Sequence, residues 1–150
     1  MQAGDVWCIH LVIYPSPLLE RANELRFRVL HEPFGVERDD DWNDDDPASS
    51  HVVVTVGEDV VGYGRLTSDP DGTGQIRQVA VSKAWERRGI GTALIDALLA
   101  RAADLGMTDV WLNARLTAVP FYEKLGFRVT SSVFNSPRTY LPHVRMDRAR

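Results

Sequence analysis

A mixed α/β fold, with a mostly antiparallel central sheet flanked by helices, follows from three observations on this 150-residue chain. Three apolar, β-branched runs are separated only by tight turn sequences. A turn rich in arginine and glycine then opens the best-defined amphipathic helix of the chain. Further apolar runs come after that helix, so at least one strand pair is joined by a helical crossover and runs parallel.

Each element has a local reason. Val6 to Tyr14 reads as a first strand. Ser16 suits an N-cap and Pro17 a first helical position, starting a helix that turns Leu18, Ala22, Leu25 and Val29 inward until Pro33 and Gly35 stop it. His51-Val-Val-Val-Thr-Val is a strand that turns at Gly57-Glu-Asp into Val60 to Thr67, and Asp69-Pro-Asp-Gly-Thr-Gly turns the chain again into the run from Gln75 to Val81. These three strands form an antiparallel meander. Ile90, Ala93, Leu94, Ala97, Leu98 and Leu105 repeat at helical spacing, and Gly106 ends that helix. Thr108 to Leu112 is then a strand lying parallel to the one that carries Val79. Thr117 is placed to cap a short helix through Pro120, Phe121, Tyr122 and Leu125, closed by Gly126. Phe127 to Thr130 and Val144 to Asp147 complete the sheet. No repeat or linker interrupts the pattern, so residues 1–150 read as one domain.

Composition narrows the function. With 44% hydrophobic and 25% charged residues, a domain of this length buries about 68–70% of its unfolded surface in one core. No apolar run approaches the roughly 18 residues that span a bilayer, and Met-Gln-Ala-Gly-Asp lacks the basic and apolar parts of a signal peptide. A cytoplasmic protein without a membrane partner is expected. Cys8 is the only cysteine; it excludes a disulfide within the chain and is expected to be a buried, inert thiol. The formal net charge is −4, but residues 37–46 carry seven acids and one arginine, which leaves the rest of the chain at +2. A mildly basic body suits an anionic ligand, and the balance disfavours nucleic acid.

The segment Val79-Ala-Val-Ser-Lys-Ala-Trp-Glu-Arg-Arg-Gly-Ile-Gly-Thr92 joins strand to helix. Arg87 and Arg88 bring cations, Gly89 and Gly91 let backbone approach an anion, and the helix start presents unpaired N–H groups. A diphosphate-bearing ligand is the expectation; the alternative is a loosened helix start with solvated arginines. A dinucleotide fold is excluded because Gly89-x-Gly91 lacks the third glycine and hairpins precede it. The Walker pattern is absent. His10, His31, His51 and His143 have no ligand-like spacing, so no metal is expected. Asp39, Asp41, Asn43 and Asp45 have calcium-loop spacing, but Asp44 stands where glycine is required and Ser50 where a bidentate glutamate belongs. That loop is read instead as solvated, as an attractor of a cationic amine with Trp42 adding an aromatic face, or as a protein-interaction surface. Arg65 and Arg77 fall on strands near the cleft, where partial burial beside carboxylates is the default.

The turn Arg87-Arg88-Gly89-Ile90-Gly91-Thr92-Ala93-Leu94, taken with Leu112-Asn113-Ala114-Arg115…Ala118-Val119-Pro120-Phe121-Tyr122-Glu123-Lys124-Leu125-Gly126-Phe127, resembles the GNAT superfamily of N-acetyltransferases over roughly residues 50–130. The resemblance implies a GNAT-like fold and acetyl-CoA as co-substrate. It implies that backbone at Val79, Ala80 and Val81 meets the pantetheine arm, that Arg87, Arg88, Gly89, Ile90, Gly91 and Thr92 wrap the pyrophosphate, and that Asn113, Phe121 and Tyr122 flank the thioester. The family usually places Gln or Arg three residues before the first glycine, and often glycine next; here Glu86 and Arg87 stand there.

Amine acetylation needs a proton acceptor for the amine, donors for the carbonyl oxygen and a proton donor for the departing thiol. A free backbone N–H near Val79 serves the second need. Tyr122, a phenol with an ordinary pKa of about 10, is the candidate acid for a thiol near 8.5. The strand offers Arg77 and Gln78 where family members often carry a glutamate, so a water-mediated route ranks ahead of His143 as base, with His51, Glu32 and the acidic loop as substitutes. An amine of lowered pKa needs no protein base. A catalytically silent acyl-CoA-binding module is the alternative function. The acceptor, a small molecule or a peptide and cationic or not, is open, as is the oligomeric state, a homodimer included.

Overall fold

The structure, a computed structural model, describes residues 6–37 and 46–149. The calcium-like spacing at Asp39, Asp41, Asn43 and Asp45, together with Trp42, lies outside the described residues.

The strands are β1 (Cys8–Val12), β2 (Ser50–Val56), β3 (Asp59–Ser68), β4 (Gly74–Val81), β5 (Asp109–Arg115), β6 (Arg128–Val129), β7 (Phe134–Asn135) and β8 (Pro142–Ala149); the helices are α1 (Pro17–Leu30), α2 (Ile90–Asp104) and α3 (Val119–Lys124). They build one sheet in the order β1-β2-β3-β4-β5-β8-β6, with β7 pairing to β8. All neighbours are antiparallel except β4 and β5. The meander, the crossover and the parallel pair are as the sequence predicts. β7 is not anticipated, because two residues are too few to show a period.

Two apolar clusters cover the two faces. α1 packs Leu19, Ala22 and Leu25 onto Val53, Val60, Tyr63 and Ala80. On the opposite face α2 and α3 pack Ile90, Leu94, Ile95, Leu98 and Tyr122 onto Val54, Leu66, Leu112 and Met146. Each fully buried aliphatic side chain contributes about 1.5–3 kcal/mol. Ser16 caps α1, its Oγ accepting from Leu18 N–H at 3.2 Å, with Pro17 next. The inward face of α1 is rotated from the predicted stripe: Leu19 and Arg26 are buried, whereas Leu18 and Val29 only fringe the cluster. Leu105 is likewise exposed, since α2 ends at Asp104 and the chain turns away at Gly106, φ 72°.

Glycines in β3 set how close α2 can lie. A Cβ on Gly62 would stand 2.9 Å from Ile90 Cγ2 and 3.2 Å from Val54 Cβ, and one on Gly64 would stand 2.9 Å from Leu98 Cδ1. The Gly-x-Gly spacing, period two, therefore carves a groove on one face of the strand for the helix.

Three expectations need correction. Cys8 is exposed, because β1 is the outer strand and four of its five residues lack cover. Thr117 does not cap α3; it falls inside a 3-10 turn, Leu116–Ala118, that leads into the helix with Ala118 at the N-cap position. Arg65 is fully rather than partly buried, since α1 closes over the face of β3 that carries it.

Gly62→Ala should lower stability by about 1–3 kcal/mol, because Ile90 and Val54 must move aside. Urea unfolding should show a lower midpoint at unchanged slope; an unchanged midpoint would mean that α2 does not seat on β3 in this way.

Candidate active site

The cleft begins where two strands part. β4 and β5 pair only through Gly74 with Val110 and Gln75 with Trp111. Beyond that point, the backbone groups that β4 turns toward β5 have no partner in the ladder. The cause is a bulge. β3 and β4 lose register between Tyr63 and Arg65, and Gln78 takes φ 58°, a left-handed conformation uncommon for a residue with a side chain. An extra residue on β4 bends the strand away from its parallel neighbour. The wedge so opened is a cleft of about 870 Å³, lined by β4 on one side and by Asn113, Ala114, Arg115, Phe121 and Tyr122 on the other.

At one end of the cleft stands the start of α2. Gly89 occupies the N-cap position with φ 84° and no capping side chain, so the N–H groups of the first turn lack intrahelical acceptors. Arg87 is also left-handed, φ 63°, a conformation that glycine adopts more readily than a residue with a side chain. Gly91 sets a packing distance: a Cβ there would stand 3.3 Å from Phe121 Cζ, so its bareness lets α3 approach α2. Arg87, Gly89, Ile90, Gly91 and Thr92 line the cleft; Arg88 does not, and its guanidinium instead lies 4.6 Å from the centroid of the Trp85 ring. A diphosphate fits this end, where unpaired amides and the helix dipole converge.

Val79, Ala80 and Val81 line the floor along the unpaired edge of β4, and Asn113 faces them from β5. Further along, Tyr122 is buried between Phe121 and Phe127, with ring centroids at 5.0 and 5.8 Å, both edge-to-face. Burial pushes the phenol from 10.0 up to about 12, and the charge on Arg115 opposes part of that rise. The same burial lowers the pKa of the Arg115 guanidinium.

His143 also lines the cleft, beside Arg115 in the β5–β8 register. Its Nδ1 lies 2.8 Å from the Leu141 carbonyl oxygen, and its ring stacks on Phe134 at 6.0 Å. A carbonyl only accepts, so Nδ1 holds the proton and the neutral ring keeps its Nε2 lone pair free to accept another. His51, by contrast, is fully buried under α1, with Nδ1 2.7 Å from the Tyr63 hydroxyl, and is structural. Gln78, on the bulge, lines the cleft with a buried Oε1 that has no hydrogen-bond partner among the described residues. Nothing in its residue type advertises the bulge; the missed signal is the extra residue that the hairpin register demands. Among the described residues, no three His, Cys, Asp or Glu side chains converge as a metal site.

A family model described as the acetyltransferase (GNAT) family matches residues 18–127. An uncharacterized N-acetyltransferase of Bacillus subtilis strain 168, YjcF, is 36% identical over 113 residues, covering 75% of this chain and 80% of that protein. Among solved structures, an acyl-CoA N-acyltransferase from Pseudomonas aeruginosa superposes with TM-score 0.81 at 23% identity, covering 96% of this chain and 99% of its own. An aminoglycoside 6'-N-acetyltransferase complexed with coenzyme A superposes with TM-score 0.74 at 17% identity, covering 95% and 96%. These two likenesses establish a shared fold.

The raised Tyr122 pKa has a consequence for stability. Between 10.0 and about 12 the unfolded chain releases the phenolic proton and the folded one keeps it, so stability is full below the unfolded value and falls as pH rises through that window. Unfolding free energy measured across this range should fall more steeply in the wild type than in Tyr122→Phe; equal slopes would place the hydroxyl in water.

Proposed function

The chain belongs to the acetyltransferase (GNAT) family, and from that membership we propose that it moves an acetyl group from acetyl-CoA to a primary amine of a small molecule or peptide. The observation that carries this reading is the single cleft that runs from the bare amides at the start of α2, past the unpaired edge of β4, to Tyr122 and His143. The same fold holds coenzyme A in the aminoglycoside acetyltransferase.

Bound acetyl-CoA supplies an activated acetyl thioester. The protein supplies position and protons. First-turn amides of α2, with Arg87, hold the diphosphate end, while backbone at Val79 and Val81 on the free edge of β4 offers hydrogen bonds to an extended amide-containing arm. An N–H on that edge near Val79 also stands ready for a carbonyl oxygen gaining negative charge, a contribution of about 2.7–4 kcal/mol for a well-placed donor.

Tyr122 keeps its proton across the physiological range, because burial has made it a weaker acid than a free phenol. It therefore acts first as a hydrogen-bond donor to the departing sulfur, and the adjacent Arg115 charge offsets the phenolate that full transfer would leave. At the amine, Gln78 cannot take a proton. His143 can, through Nε2, and the Leu141 carbonyl fixes the required tautomer. We place His143 as the base, directly or through one water. A cytoplasmic location fits this chemistry, and no described helix is long and apolar enough to cross a membrane.

Tyr122→Phe should lower kcat at least about tenfold, and by about 10²–10⁴-fold where the phenol transfers its proton fully, with little change in affinity for acetyl-CoA. His143→Ala should lower kcat. CoA release with an amine panel reads both. Unchanged turnover in either variant removes that residue from its role, and absence of amine-dependent release across a broad panel, beside tight acetyl-CoA binding, would favour a silent binding module.

A further inference from the structure

The proposed transfer leaves one cation in the cleft without a complete role. Arg115 closes β5, half-buried, and its guanidinium lies 4.4 Å from the centroid of the Phe34 ring, which the 3-10 turn after α1 presents. Its charge interactions among the described residues reduce to the Tyr122 phenol, and desolvation lowers its pKa with no carboxylate among the described residues to reverse the effect. Arg145 shows the contrast: paired with Asp147 at 2.9 Å, its pKa rises. Arg77 and Arg138 also line the cleft, but each has a further interaction within the fold.

A half-desolvated guanidinium is costly unless an anion meets it, and its planar fork matches carboxylate and phosphate oxygens. The Phe34 ring braces the guanidinium at the cleft wall that Arg115 lines. The anion is not the donor's diphosphate, since the proposed transfer gives that group to the first turn of α2 and Arg87. Arg115 lies beside Tyr122 and next to His143 in register, where the acceptor must come.

We propose that Arg115, braced on Phe34, captures an anionic group of the acceptor, so that the substrate is an amine that also carries a carboxylate or a phosphate. The proposal rests on the acetyl-transfer reading above. An acceptor of this kind is a zwitterion: its ammonium loses a proton toward His143 while its anion anchors the molecule.

The test compares 3-aminopropanoate, its amide and 2-aminoethyl phosphate as acceptors, with wild type, Arg115→Gln and Arg115→Lys. The anionic acceptors should exceed the amide in kcat/KM by about tenfold or more, the scale of one charge-assisted hydrogen-bonded pair. The gain should lie mainly in KM, be lost in Arg115→Gln and be partly recovered in Arg115→Lys. Preference between the two anions assigns the group to carboxylate or phosphate. An amide that serves as well as the acid overturns the proposal, as does an Arg115→Gln loss confined to kcat and equal for all three, which would make Arg115 a stabiliser of the reacting atoms. Calorimetry of the same compounds into the CoA-saturated protein is independent of turnover. Binding that needs both the anion and Arg115 sustains the site even if transfer fails, and anion-independent binding ends it. Retained CoA affinity and thermal midpoint in Arg115→Gln show that the variant folds.

Discussion

The divergence of β4 from β5 is the constraint on which the site depends. A parallel pair continued to its end would hydrogen-bond Val79 and Val81 to the neighbouring strand and leave no space between them. Pairing stops instead after Gln75 and Trp111, and the bulge at Gln78 turns the strand away. Polar backbone that a sheet ordinarily satisfies is thereby exposed to a ligand, and a left-handed conformation at a residue with a side chain costs of order 1–3 kcal/mol. The uninterrupted β5–β8 pairing on the far side of the cleft helps to hold that strain in place.

Packing of α2 is the second requirement. Gly62 and Gly64 bring the helix close to β3, and Gly91 brings α3 close to α2. The helix start is thus fixed at the mouth of the wedge with its amides facing in, and Tyr122 is fixed on the wall across from β4 between two phenylalanines. Burial serves two ends there: it orients the hydroxyl and keeps it protonated. The ring of His143 is oriented by a carbonyl and an aromatic face rather than by a carboxylate.

Much of this was legible in the chain. Hairpin turns at Gly57 and Gly72 and the period of Leu94 and Leu98 are local signals, and they revealed the meander and α2. The Phe121-to-Phe127 motif located the second wall of the cleft. The misreadings share a cause, since each depended on what covers an element rather than on the element itself. Cys8 looked like a core residue because its strand is apolar, but only a neighbour beyond β1 could bury it. Leu19 replaced Leu18 because the axial rotation of α1 is set by the sheet beneath it. Arg88 turned to Trp85, an attraction invisible without the turn's geometry. Arg115 went unremarked as a functional group because a single arginine after a strand is ordinary; its half-burial and the Phe34 ring distinguish it.

A crystal structure with coenzyme A tests the central claim most directly. The diphosphate should lie on the main-chain N–H groups from Gly89 to Thr92 and the thiol sulfur within reach of the Tyr122 hydroxyl. A ligand seated elsewhere, or a diphosphate held only by surface side chains while those amides stay bare, would contradict it.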